Sequence, residues 1–340
     1  MRPVALPPNL IDHFYAGGAK IAALRRIETT STHQPEEWLA ATVARAGEGT
    51  TGMSRLPDGR LLRDVVAGDP AAWTGPGARP AGPSDTGLLV KLLDAGQRLP
   101  VHVHPDRAFA TRHLDCPYGK TEAWYVLDAT GDGAVYVGWT DDVDRDELAR
   151  RRDAQDSDWM LAHLNRVEVQ PGDGVLVPAG TAHALGEGVF VAEVQEPTDF
   201  SIVLEWAVTT SGREDSHLGL GFETVMPAVD HNRLSPGRLA QLRRHSDPRS
   251  AGSVPVSALP READPFFRLH LWAPEGAETA PVPAGFAVVV VLAGDGALAG
   301  DDGTEPVAAG QVLAVPAGFG DWRVVGGARL LVARPGRVPA

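Results

Sequence analysis

From residue 86 onward, short apolar runs alternate with glycine, proline and polar clusters, a rhythm too short and too often broken for long helices. The runs at 87–94 (GLLVKLLD), 99–104 (LPVHVH), 122–128 (EAWYVLD) and 134–139 (AVYVGW) predict four strands, with Gly131-Asp132-Gly133 as the turn between the last two. The period then changes. Residues 144–152 and 156–164 carry helix formers with apolar positions three and four apart, which predicts a short helical insertion. Strand patterns resume at 166–169, 174–177, 183–185, 189–194 and 201–208. Segment 211–263 is polar and rich in proline and arginine, a connector with one helix predicted at 236–245, and a strand-rich block from 266 to 334 closes the chain. Many short antiparallel strands cornered by Gly and Pro predict a mainly β chain of barrel or jelly-roll type.

An internal repeat refines this picture. Residues 171–183 read PGDGVLVPAGTAH and residues 309–321 read AGQVLAVPAGFGD. Both place a glycine, five residues, Pro-x-Gly, two residues and then a polar side chain: His183 in one, Asp321 in the other. Upstream, 123–135 (AWYVLDATGDGAV) has its counterpart in 287–298 (AVVVVLAGDGAL). Two motifs recurring in the same order predict two related β-barrel domains, residues 1–240 with the helical insertion near 144–164, and residues 241–340. The second lacks the histidines of the first.

Composition narrows the function classes. Of 340 residues, 43% are hydrophobic and 22% charged, as in a soluble globular chain. The 31 lysines and arginines are outnumbered by 44 aspartates and glutamates, and a net charge of −13 argues against nucleic-acid binding. No apolar run approaches the ~20 residues that span a bilayer. The lone Cys116 forbids an internal disulfide and suits a reducing cytoplasm. A nucleophile elbow, a phosphate loop and a dinucleotide fingerprint are all lacking.

The candidate chemistry sits in the first repeat. His102-Val103-His104 lies in an extended pattern, so both imidazoles leave one strand face. A histidine pair on a strand is weak evidence alone, but three features add to it. Gly96 precedes it at fixed spacing, Pro178 and Gly180 form a corner that aims His183, and Glu122 heads a neighbouring strand with an acidic oxygen. Imidazole and carboxylate together suit a divalent transition metal. Asp106 and Glu187 read as groups near the ligands rather than ligands. Asp128 reads as a strand-end turn residue, His113 and His163 as surface histidines, and Cys116 as a bystander.

These motifs, GxxxxxHxH at 96–104 and GxxxxxPxGxxH at 172–183, resemble the cupin superfamily. The 18-residue spacing from His104 to Glu122 points to one branch. LLVKLLDAGQRLPVHVHPD at 88–106 followed by YGKTEAWYVLD at 118–128 resembles the type I mannose-6-phosphate isomerases in their short bacterial form, as do PEEWLAAT at 35–42, LPDGRLLRDVV at 56–66 and VPAGTAHALGEGVFVAEVQEPTD at 177–199. The resemblance implies two cupin barrels and one Zn2+ per chain in the first of them, held by His102, His104, Glu122 and His183. It implies interconversion of mannose 6-phosphate and fructose 6-phosphate through an enediol. The implied partner is a small sugar phosphate, with neither nucleic acid nor membrane.

Lysine usage adds a second line. The chain has only Lys20, Lys91 and Lys120, so a lysine inside a motif suggests need for a compact ammonium. Lys120 lies two residues before Glu122 and reads as catalytic and substrate-binding, Lys91 as substrate-binding. Two departures from the family pattern stand out: Val203 where the family carries an arginine, and Pro100 where it often has serine. Arg213 is one candidate to replace that arginine. A cupin isomerase or epimerase acting on another sugar, an iron-dependent cupin oxidoreductase and a non-catalytic sugar sensor therefore stay open. The second barrel, with Asp321 in place of the histidine, is expected to stabilise the first.

Overall fold

A computed structural model describes residues 1–75, 81–131, 133–247, 252–274 and 279–336. The described residues form four antiparallel sheets. The largest runs, in order, Arg243–His245, Asp173–Val177, Glu122–Ala129, Val189–Gln195, Leu89–Asp94, Glu36–Leu39 and Leu10–Ile11. Facing it is a five-stranded sheet of Ile202–Val203, His102–Val103, His183–Leu185, Ala134–Trp139 and Leu164–Glu168. The later part of the chain, joined by Val4–Ala5, builds a six-stranded sheet, and alone builds a three-stranded sheet of Gly303–Ala308, Asp295–Gly300 and Trp322–Gly326.

Strand alternation decides what each face meets. In Val189–Gln195, Phe190, Ala192 and Val194 point to a core shared with the six-stranded sheet, where Phe267, Leu269, Val288, Val290 and Leu331 answer them. Val189 and Val191 point the other way, toward Val135, Val137 and Leu185 of the five-stranded sheet. The same alternation sends Lys91, Glu122 and Glu193 to that second face, beside Leu93, Trp124 and Val191. With both faces covered, these strands read as nearly continuous apolar runs, so a charge within one is conspicuous.

The two halves share a strand order. Asp173–Val177, Glu122–Ala129, Val189–Gln195 and Leu89–Asp94 neighbour one another as do Val312–Val315, Ala287–Ala293, Arg329–Pro335 and Phe267–Trp272. Gly172 and Gly310, which open the repeated motif, both adopt left-handed backbone, at φ 96° and 89°. The halves are also laced together. Val4–Ala5 pairs with Val312–Val315, and Arg243–His245 returns to Asp173–Val177.

Several elements differ from the sequence pattern. The strand expected over 99–104 is only His102–Val103, because Pro100 cannot donate to a ladder. Residues 201–208 give Ile202–Val203 and then a 3-10 turn, Trp206–Val208. The helix at 236–245 stops at Gln241. Arg107–His113, between two predicted strands, is a helix, and Asp106 is its N-cap, accepting from the Phe109 amide at 2.7 Å. Helices Arg145–Asp153 and Ser157–Ala162, capped by Asp144 and Asp156, lie between Ala134–Trp139 and Leu164–Glu168. Gly131 and Gly133 flank their turn at φ 63° and 50°, Asp132 itself lying outside the described residues. Among the described residues no helix is long and apolar enough to cross a membrane.

Candidate metal centre

Register builds the centre. His102 and His183 are direct cross-strand partners, and Val203 faces His102 from the other side. His104 follows the strand, and its carbonyl accepts the Gly180 amide at 2.8 Å, which ties the Pro178–Gly180 corner to the HxH segment. Gly180 sits at φ 87°, a conformation that glycine adopts freely, so the chain turns there and re-enters as the strand bearing His183.

Each imidazole is held by one nitrogen and free at the other. Nδ1 of His102 donates to the Pro100 carbonyl at 2.8 Å, that of His104 to the Phe200 carbonyl at 2.7 Å, and that of His183 to the Thr181 carbonyl at 2.8 Å. A backbone carbonyl can only accept, so each Nδ1 carries the proton and each Nε2 presents a lone pair. The ligand atoms of the three rings lie within 4.8 Å of one another. Glu122 joins them, with Oε2 3.0 Å from His104 Nε2 and Oε1 3.4 Å from His183 Nε2. His104 Nε2, His183 Nε2 and Glu122 Oε2 are buried without a hydrogen-bond partner. Lone pairs facing lone pairs in a buried pocket repel unless a cation lies between them. The donor set of three imidazoles and a carboxylate fits a divalent transition metal, and the three carbonyl anchors are the outer contacts that orient metal-binding histidines.

The electrostatics agree. Burial, then the neighbouring imidazoles, push His102 well below the ordinary histidine range, and burial with Lys120 lowers His104 to about 3. Both stay neutral and able to ligate. Burial alone would raise Glu122, but the ammonium of Lys120 beside it favours the ionised carboxylate, whose pKa lies well below the ordinary range. Lys120 lies 3.4 Å from Glu122 Oε2.

A cavity of about 250 Å³ opens beside His102 and Glu122. Lys91 and Lys120 both line it. Lys91 is buried, 4.5 Å over the Trp38 ring, with Glu36 at 3.4 Å and Glu193 and Asp199 each at 3.8 Å. Burial would lower its pKa, but those carboxylates dominate and keep the ammonium charged. Glu193 also lines the cavity. Its Oε2 accepts from Trp124 Nε1 at 3.2 Å while Oε1 has no hydrogen-bond partner, and burial beside Glu122 pushes its pKa up to about 7. Val203 and Pro100 line the same space.

Other candidates fall elsewhere. Arg213 pairs with Asp153 and Glu214 and lies outside the cavity lining. His113 ends a helix against Phe109, and His163 stacks on Trp159 at 4.1 Å. Asp128 pairs with Lys20 at 2.9 Å, Glu187 is exposed, and Cys116 is a free thiol. His13, Glu36, Arg45, Glu193 and Asp199, all on the cavity wall, were not singled out as site residues, although Glu36, Glu193 and Asp199 fall inside the quoted motifs. For Glu193 the signal was present: a carboxylate inside the apolar run VFVAEVQ.

No family model matches this sequence. The chain is 27% identical over 246 residues to mannose-6-phosphate isomerase ManA of Bacillus subtilis (strain 168), covering 72% of this chain and 74% of that protein. It is 31% identical over 209 residues to mannose-6-phosphate isomerase of Streptococcus mutans, covering 62% and 61%. Among solved structures, the mannose 6-phosphate isomerase from Bacillus subtilis superposes with a TM-score of 0.72 at 24% identity over 98% of this chain and 100% of that one. A mannose 6-phosphate isomerase bound with zinc and yttrium gives 0.72 at 14% identity over 99% and 100%. The fold is that of these enzymes.

Proposed function

We propose that this chain, related over most of its length to mannose-6-phosphate isomerases, is itself a metal-dependent aldose–ketose isomerase that interconverts mannose 6-phosphate and fructose 6-phosphate. The observation that carries the proposal is the convergence of three anchored imidazoles and one carboxylate on a common point beside a small polar cavity. In this reading the two halves are cupin-type jelly-roll domains, about 1–240 and 241–340, with 144–164 inserted in the first. His102, His104, Glu122 and His183 hold one zinc ion. The enzyme works in the cytoplasm.

Bound there, zinc supplies Lewis-acid stabilisation, worth several kcal/mol, for charge that develops on the sugar's oxygens. The chain's own groups supply the proton traffic. Glu193, which lines the cavity and has one oxygen free of hydrogen bonds, takes the proton from carbon 2 of the open-chain aldose and returns it to carbon 1. The hydroxyl proton moves from oxygen 2 to oxygen 1 in the same exchange, so the sugar is isomerised with no net change in protons. Lys120 keeps Glu122 ionised and supports the enediolate charge. Lys91 stands within 3.8 Å of Glu36, Glu193 and Asp199 and faces the anionic substrate.

The test is a coupled assay on zinc-loaded protein with a panel of phosphorylated and free sugars. Turnover of mannose 6-phosphate above that of the other sugars is expected. A metal-loaded protein inert on mannose 6-phosphate but active on another sugar would refute the substrate assignment.

A further inference from the structure

The cavity walls carry a charge imbalance that bears on how an anionic substrate is held. Four carboxylates line the cavity, those of Glu36, Glu122, Glu193 and Asp199, and three cations, Arg45, Lys91 and Lys120. Two of the cations are already committed. Lys91 stands within 3.8 Å of three of those carboxylates, and Lys120 is 3.4 Å from Glu122. Arg45 differs. Its ion-pair partner, Glu48 at 3.3 Å, lies outside the cavity lining and is 43% exposed. A pair at such a surface contributes little and is displaced at little cost.

Arg45 is also well placed. The strand Glu36–Leu39 ends at Ala40, which turns at φ 49°, and the chain then closes a loop on itself. The Arg45 amide donates to the Thr51 carbonyl at 2.8 Å, and the Glu48 amide to the Arg45 carbonyl at 3.1 Å. The next amide, of Ala46, donates to Asp199 Oδ2 at 3.2 Å, which fastens the loop to the cavity wall. The guanidinium is steadied by the Asp12 carbonyl, which accepts from Nη1 at 3.1 Å. A preset planar guanidinium whose only carboxylate partner among the described residues faces solvent is suited to bidentate capture of a phosphate.

We infer that Arg45 is the anion anchor of this cavity and receives the phosphate of the sugar phosphate, an assignment that rests on the sugar-phosphate reading above. Val203, on the same wall, offers no charge for that purpose. The test is calorimetric titration of zinc-loaded protein with mannose 6-phosphate and with mannose, comparing wild type with Arg45→Ala, Arg45→Gln and Arg45→Lys. Arg45→Gln keeps an N–H donor in the loop and so separates loss of charge from loss of loop structure. The expected result is that preference for the phosphorylated sugar falls about tenfold or more in the alanine and glutamine variants and partly returns in the lysine variant. Unaltered preference in both neutral variants would overturn the inference, and so would a wild type that binds the two sugars equally. A wild type that prefers the phosphorylated sugar yet isomerises nothing would sink the enzymatic reading instead, while the variants' binding ratios still decide the role of Arg45.

Discussion

The two halves of the chain share a strand order and a repeated Gly–Pro–Gly motif, yet one encloses a polar centre and the other an apolar core. In the first, His183 pairs across the sheet with His102. In the second, the corresponding place holds a bridge between Trp322 and Val282, and Trp322, Phe319 and Leu298 fill the interior. Asp321, which the repeat aligns with His183, serves the backbone: its Oδ1 accepts the Ala284 amide at 2.8 Å. The difference is instructive because the strand order is shared. The space between β-sheets can be closed with apolar packing, or with converging lone pairs, which are costly until a cation satisfies them.

The largest contrast comes from truncating each half's interior. His183→Ala should abolish metal retention and lower turnover roughly a thousandfold or more, the several kcal/mol that a Lewis acid supplies, with little change in the stability of metal-free protein. Trp322→Ala should cost about 3–5 kcal/mol in denaturant unfolding, with metal content unchanged. Metal analysis and unfolding of the two variants would break the comparison if both effects tracked together.

A smaller effect sharpens the first half's side of it. As the base, Glu193 acts ionised, so kcat/KM should fall as pH drops through its pKa. That pKa is raised to about 7 by burial and by Glu122, and a cation beside Glu122 offsets the second cause, which moves the acidic limb below 7. Glu193→Gln should lose about a hundredfold or more in kcat and lose that limb from the residual activity. An unchanged pH profile would remove Glu193 from the proton transfer.

Much of this was legible in the sequence, and unevenly so. The alternating runs around 122–139 and 183–195 marked strands because both their faces are buried, and the histidines and Glu122 stood in fixed spacings that survive as geometry. The cavity's other wall was not legible, because Glu36 and Arg45 lie in the first 85 residues, where short elements such as Glu36–Leu39 carry no clear period. They reach the centre only through long-range pairing, Trp38 opposite Lys91, which no local pattern encodes. Asp106 illustrates the reverse case: its place after the HxH motif made it read as a group beside the ligands, whereas its carboxylate caps a helix.

The central claim is that His102, His104, Glu122 and His183 share one cation. Titrating the metal-free protein with cobalt(II) and following its visible absorption tests this most directly. The spectrum should saturate at about one equivalent with the intensity of a low-coordinate N/O site, and Glu122→Ala should lose that saturation. Saturable cobalt binding retained in full by Glu122→Ala would contradict the account.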